Sequence, residues 1–142
     1  MACATRALGF PVGQTKLAKL AGTDVVHSTD EVGIKRALLA CGFVPEAFSG
    51  NISLSAKNWL AVKLRLGYPV ILCVGKLRWE HWVCAVGMLG NRYLVFDPAR
   101  YEYRVHSGVQ FYTWKRLAEL WYASRAVRGT EGAYYGVAVL TT

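Results

Sequence analysis

Acidic side chains are scarce in this sequence: 9 Asp and Glu stand against 17 Lys and Arg, for a net charge of +8. Long apolar runs are missing too. No stretch approaches the ~20 residues of a membrane span, and the longest, such as Val70 to Val74, are strand-sized. The N-terminus has no charged stretch followed by an apolar one, so no secretion signal is visible. No two of the four cysteines, Cys3, Cys41, Cys73 and Cys84, lie within zinc-ligand spacing. Neither metal nor cofactor is implied, and a cytoplasmic chain with free thiols is the simpler expectation. Internal repeats, low-complexity segments and linkers are absent, which predicts one domain over residues 1–142.

The basic residues are scattered in short groups: Lys35-Arg36, Lys63 with Arg65, Lys76 with Arg78, and Lys115-Arg116. None has the length of a basic arm. A generally basic surface is expected, and nucleic acid is not the expected partner. Hydrophobic residues make up 54% of the chain, enough to build a core.

The first half of the chain has helical patterning. Cys3 to Leu8 and Gln14 to Leu20 are short helices, stopped by Gly9 and Gly22. Ser28 with Glu31 has the capping-box spacing and opens a helix that runs to Cys41. Ser53 or Ser55 caps the next, closed by Gly67. The period then changes. Val70 to Val74 suits a buried strand. His81 to Gly87 and Arg92 to Asp97 form a hairpin around Met88-Leu89-Gly90. Tyr101 to Val105 is a candidate strand, Thr113 caps a helix bearing Trp114, Leu117 and Trp121, and Tyr134 to Leu140 is a final strand. Helices followed by an antiparallel sheet predict an α+β fold.

With a three-residue loop, Ala85 faces Tyr93, Val83 faces Val95, and His81 faces Asp97. Directly opposed residues have Cβ atoms ~4.5–5.5 Å apart, which lets a carboxylate accept a hydrogen bond from an imidazole. Such a pair either pins the sheet or serves as an oriented base awaiting a nucleophile. Cys3 is the candidate nucleophile. It opens a helix, where backbone N–H groups and the dipole favour a thiolate. Cys41, Cys73 and Cys84 have apolar neighbours and are expected to be small core residues. His27 precedes a helix cap and is expected in a loop, and His106, in a polar stretch near Ser107-Gly108, lacks an obvious carboxylate partner.

Four segments carry a family resemblance: Cys3-Ala-Thr-Arg-Ala-Leu, Leu20-Ala-Gly-Thr with Thr29 to Gly42, Gly67-Tyr-Pro-Val-Ile-Leu, and His81-Trp-Val-Cys-Ala-Val-Gly followed by Asp97-Pro98. Cys3 to His81 spans 78 positions and His81 to Asp97 spans 16. Together they resemble the bacteriocin-processing (double-glycine leader) cysteine peptidases of the papain-like superfamily. The resemblance implies a papain-like α+β fold, a bacterial or phage origin, and a Cys3–His81–Asp97 triad acting on a peptide or protein, with small residues such as Gly-Gly before the cut. Two departures stand out. Ala4 replaces the glycine usual after the cysteine. Only Met1 and Ala2 precede Cys3, where the family has an oxyanion-hole glutamine. Gln14 and Asn51 are candidates to replace it. The alternative is a weak or inactive peptide-docking module, whose groove Trp79 and Trp82 would line. A binder of anionic polymers is the third reading, on charge alone.

Overall fold

The computed structural model describes residues 1–23, 29–76, 79–98, 109–122 and 134–142, without the side chains at 76, 79 and 80. Five helices and six strands lie within them: α1 (Ala2–Ala7), α2 (Gln14–Ala21), α3 (Glu31–Ala40), β1 (Val44–Gly50), α4 (Ser53–Arg65), β2 (Val70–Lys76), β3 (Trp79–Leu89), β4 (Arg92–Phe96), β5 (Val109–Tyr112), α5 (Trp114–Tyr122) and β6 (Tyr134–Leu140). The strands form one antiparallel sheet in the order β1-β6-β2-β3-β4-β5. This is the expected α+β class.

Both sheet faces are covered, which is why β6 and the Val70–Val74 run of β2 are continuously apolar rather than alternating. Val70, Leu72 and Val74 of β2 pack with Val83, Ala85 and Val95 beneath Leu60 and Leu64 of α4 and Leu117 and Trp121 of α5. Ile71, Cys73, Cys84, Val137 and Val139 face the other way, against Ala4 of α1 and Ile34 and Leu38 of α3. Every second residue of β2 and β3 therefore belongs to a different core layer.

Local chemistry fixes the α1–α3 layer. Gly22 ends α2 in the left-handed region, at φ 74°. Arg36 reaches back from α3 and donates to the last carbonyls of α2, Nε to Leu20 O at 3.0 Å and Nη2 to Ala21 O at 2.7 Å. Gly33 makes this contact possible, because a Cβ there would stand 2.5 Å from the Ala21 carbonyl oxygen. In α1 the buried Thr5 hydroxyl donates to Ala2 O and accepts from Val12 N–H, both at 3.1 Å. It ties the first helix to the chain that follows.

Several sequence expectations are corrected. The cap of α3 is Asp30, whose Oδ1 accepts from Gly33 N–H at 2.7 Å. Ser28 lies outside the described residues. Neither Ser53 nor Ser55 caps α4. The cap position is Ile52, with no side-chain bond. The sheet is not confined to the second half, since β1 follows α3 and pairs with β6 along its length. The proposed strand Tyr101 to Val105, His27 and His106 lie outside the described residues. Among the described residues, no helix is long and apolar enough to cross a membrane.

Candidate active site

The site is built on the β3–β4 hairpin, whose register differs from the expected one. Leu89 faces Arg92, so the loop is Gly90-Asn91, with Gly90 at φ 61°, and not Met88 to Gly90. Two-residue loops match the strand twist when φ is positive, which glycine supplies. Continued without interruption, this register would set Asp97 opposite Cys84, on the α1 side of the sheet. A bulge prevents that. Gly87 faces Leu94 but Ala85 already faces Val95, leaving Val86 unpaired. The next step beyond the Cys84–Phe96 pair puts Asp97 across from Val83, on the face that His81 shares. His81 and Asp97 are thus diagonal neighbours rather than directly opposed, at ~7–8 Å between backbones, a gap these side chains span.

They meet. His81 Nε2 donates to Asp97 Oδ1 at 2.5 Å, with Asp97 buried and His81 about a quarter exposed. An ionised carboxylate has only acceptors, so the hydrogen sits on Nε2. Nδ1 then presents a lone pair, and it makes no hydrogen bond among the described residues. Both residues line a small cavity of about 90 Å³ with Val83, Tyr112, Arg116 and Leu120.

Cys3 stands in the neighbouring cavity. This is larger, about 260 Å³, and is lined among others by Cys3, Gln14, Thr29, Trp82, Cys84 and Pro98. Val83 borders both cavities, so β3 is the wall between them. The Cys3 thiol lines this cavity beside Cys84, whose own thiol donates to Ala85 O at 3.9 Å, and no hydrogen bond joins Cys3 to His81. The neighbouring Cys84 thiol is the main reason the Cys3 pKa is lowered from 9.0 to about 7. Burial opposes the fall, and the Met1 ammonium and Arg6 assist it. Cys84 moves the other way, well above an ordinary thiol, because of Cys3 first and burial second.

The structure therefore joins two of the three expected residues, His81 and Asp97, and sets Cys3 on the opposite face of the sheet, beyond β3. Of the two amide candidates for the oxyanion, Gln14 lines the Cys3 cavity and Asn51 does not. Trp82 lines it too, half-buried, with Nε1 donating to Thr29 O at 2.9 Å. The side chain of Trp79 lies outside the described residues. Cys73 is buried in the core and Cys41 half-buried beside it. Cys84 departs from the expected inert core role: it is buried, but its thiol faces Cys3. The sequence held a signal for this, because Cys84 has opposite parity to His81 on β3 and must face whatever helix covers that side. Among the described residues no three His, Cys, Asp or Glu side chains come together as a metal site.

No protein-family model matches the sequence, and neither does any curated protein. Solved structures do. The peptidase domain of Streptococcus ComA, described as a bi-functional ABC transporter involved in a quorum-sensing pathway, superposes with a TM-score of 0.69 at 18% identity. The match covers 99% of this chain and 87% of that one. The peptidase domain of Streptococcus mutans ComA gives a TM-score of 0.57 at 16% identity, over 88% of this chain and 84% of that one. At such identities the likeness speaks for architecture: this chain has the papain-like α+β fold of the ComA peptidase domains.

Proposed function

We propose that the chain is a cysteine peptidase, one peptidase-like domain over residues 1–142, in which Cys3 attacks a peptide carbonyl, His81 moves the proton and Asp97 orients the imidazole. The observation that carries this reading is the state of His81. Asp97 holds Nε2, and Nδ1 is left without a described partner beside the wall of a cavity that contains an acidified thiol. Because β3 stands between the two cavities, the first step requires α1 to shift until the Cys3 thiol reaches Nδ1, which accepts its proton. The thiolate then adds to the carbonyl carbon. The Cys3 N–H and the Gln14 side-chain amide are the donors for the oxyanion. Nδ1–H next protonates the leaving amine as the C–N bond breaks, leaving a thioester. A water molecule, deprotonated by Nδ1, attacks the thioester and restores the thiol.

The substrate is a peptide or protein segment, and small residues such as Gly-Gly before the cut follow from the resemblance to leader peptidases. Four free thiols suit a reducing compartment, which supports a cytoplasmic location. The test is turnover of a Gly-Gly-containing leader peptide. Cys3→Ala is expected to abolish it with folding intact, and Gln14→Ala to lower kcat by about 10²-fold, the effect of one oxyanion donor. Turnover retained by Cys3→Ala ends the reading.

A second reading has its own observation, that Cys3 shares a cavity with Cys84 and not with His81. In a peptide-docking module the thiol has only a packing role and Trp82 is part of the binding wall. Peptide affinity would then be the same in Cys3→Ala as in the native chain, with no product formed.

A further inference from the structure

We propose that Cys3 and Cys84 form an oxidation site, which a peroxide converts to an intramolecular disulfide and a thiol reductant restores. Its formation depends only on the two side chains. Its consequence, a masked nucleophile, rests on the reading of Cys3 given above.

The mechanism has no use for Cys84, which is 4% exposed in the middle of β3. Cys84 and Cys3 nevertheless line one cavity and belong to one side-chain cluster, with α1 laid against β3. Access is unequal. Cys3 is partly exposed at the helix start, whereas Cys84 lies behind it. A small oxidant entering the cavity meets Cys3 first and finds it already acidified. The resolving thiol stands beside it, so no large movement separates the first oxidation from the second. The other cysteines are less suitable. Cys73 is buried on β2 and Cys41 follows α3, and neither lines this cavity.

The chemistry balances. The Cys3 thiolate attacks one peroxide oxygen and the O–O bond breaks. The departing oxygen takes up a proton, leaving Cys3 as a sulfenic acid. Cys84 sulfur then attacks Cys3 sulfur, the S–O bond breaks, and the hydroxyl leaves as water with the Cys84 proton. Two thiols are oxidised, and one peroxide is reduced by two electrons. The disulfide removes the nucleophile but protects it from the irreversible sulfinic and sulfonic states.

The test uses the full chain with a few equivalents of hydrogen peroxide, followed by digestion without reductant. Trypsin cuts after Arg6, Lys76, Arg78 and Arg92, which puts Cys3, Cys73 and Cys84 on separate peptides. The expected product joins the Cys3 and Cys84 peptides, with two hydrogens lost from the intact mass, and dithiothreitol reverses it. In Cys84→Ser the same treatment should leave Cys3 as a sulfenic acid, captured by dimedone. A dimedone adduct at Cys3 of the native chain without the cross-linked peptide overturns the proposal, and so does a disulfide to Cys41 or Cys73. The native-chain readout keeps the test valid if Cys84→Ser fails to fold. The measurement is of mass, so a chain that cleaves no peptide still gives the answer. If the chain does cleave, turnover should fall with the disulfide fraction and return on reduction.

Discussion

At the scale of the residue, the acidity of Cys3 comes from a neighbour on a strand and not from its own helix alone. The Met1 ammonium and Arg6 favour the thiolate, but the largest cause is the neighbouring Cys84 thiol. The thiolate is the form that alkylates, so iodoacetamide labelling of Cys3 should rise with pH through a midpoint near 7. An ordinary thiol would follow a midpoint of ~8.5. Cys84→Ala removes the main stabiliser of the anion, and the labelling midpoint should move upward. A profile of Cys3 labelling that is the same in both proteins would show that Cys84 does not set its acidity. The helix-start position of Cys3 and the His81…Asp97-Pro98 pattern were legible in the sequence, because helix stops and strand ends are written in nearby glycine and proline. The partner of Cys3 was not, because it depends on which strand lies under α1.

At the scale of the element, the hairpin shows how a local error and its correction combine. A loop one residue shorter than expected changes the register, and by itself it would send Asp97 to the wrong face. The bulge at Val86 shifts the ladder back by one, so His81 and Asp97 share a face after all. Nothing in the composition of Ala85-Val86-Gly87 demanded a bulge, which falls just past the last β2–β3 pair, Val70 with Ala85. The α2–α3 contact rests on a similarly specific feature. Gly33→Ala would drive a methyl group into the Ala21 carbonyl, 2.5 Å away. The two helices must then part, and the change should destabilise the chain by about 1–3 kcal/mol, the range for overpacking. Urea unfolding measures this. Because α2 supplies Gln14 and Leu17 to the Cys3 cavity, a stable variant should also show altered Cys3 labelling.

At the scale of the whole molecule, two core layers share one sheet, and α5 anchors the one under His81 and Asp97. Trp121 is fully buried, contacts Tyr134 edge-on at 5.2 Å between ring centres, and donates from Nε1 to Tyr135 O at 2.8 Å. Trp121→Ala should lower stability by about 3–5 kcal/mol, a large part of the 5–15 kcal/mol that a domain of ordinary stability has. The midpoint of thermal or urea unfolding reports it. A loss below about 1 kcal/mol, the range of surface substitutions and small repackings, would mean that the layer collapses around the gap.

The sequence by itself determined the α+β class, the helices opened and closed by Gly22, Gly67 and Thr113, the apolar runs of β2 and β6, and the nomination of Cys3, His81 and Asp97. These follow from periodicity and from turn residues, which act over a few positions of the chain. The tertiary structure decided the rest. It inserted β6, the last strand, between β1 and β2, and turned the half-exposed segment Val44–Gly50 into an edge strand. It also skipped Val86 to bring Asp97 onto the face of His81, and laid α1 so that Cys3 meets Cys84. Each of these depends on contacts between residues far apart in sequence, where burial and hydrogen-bond pairing across the whole sheet select one register among several that the local pattern allows.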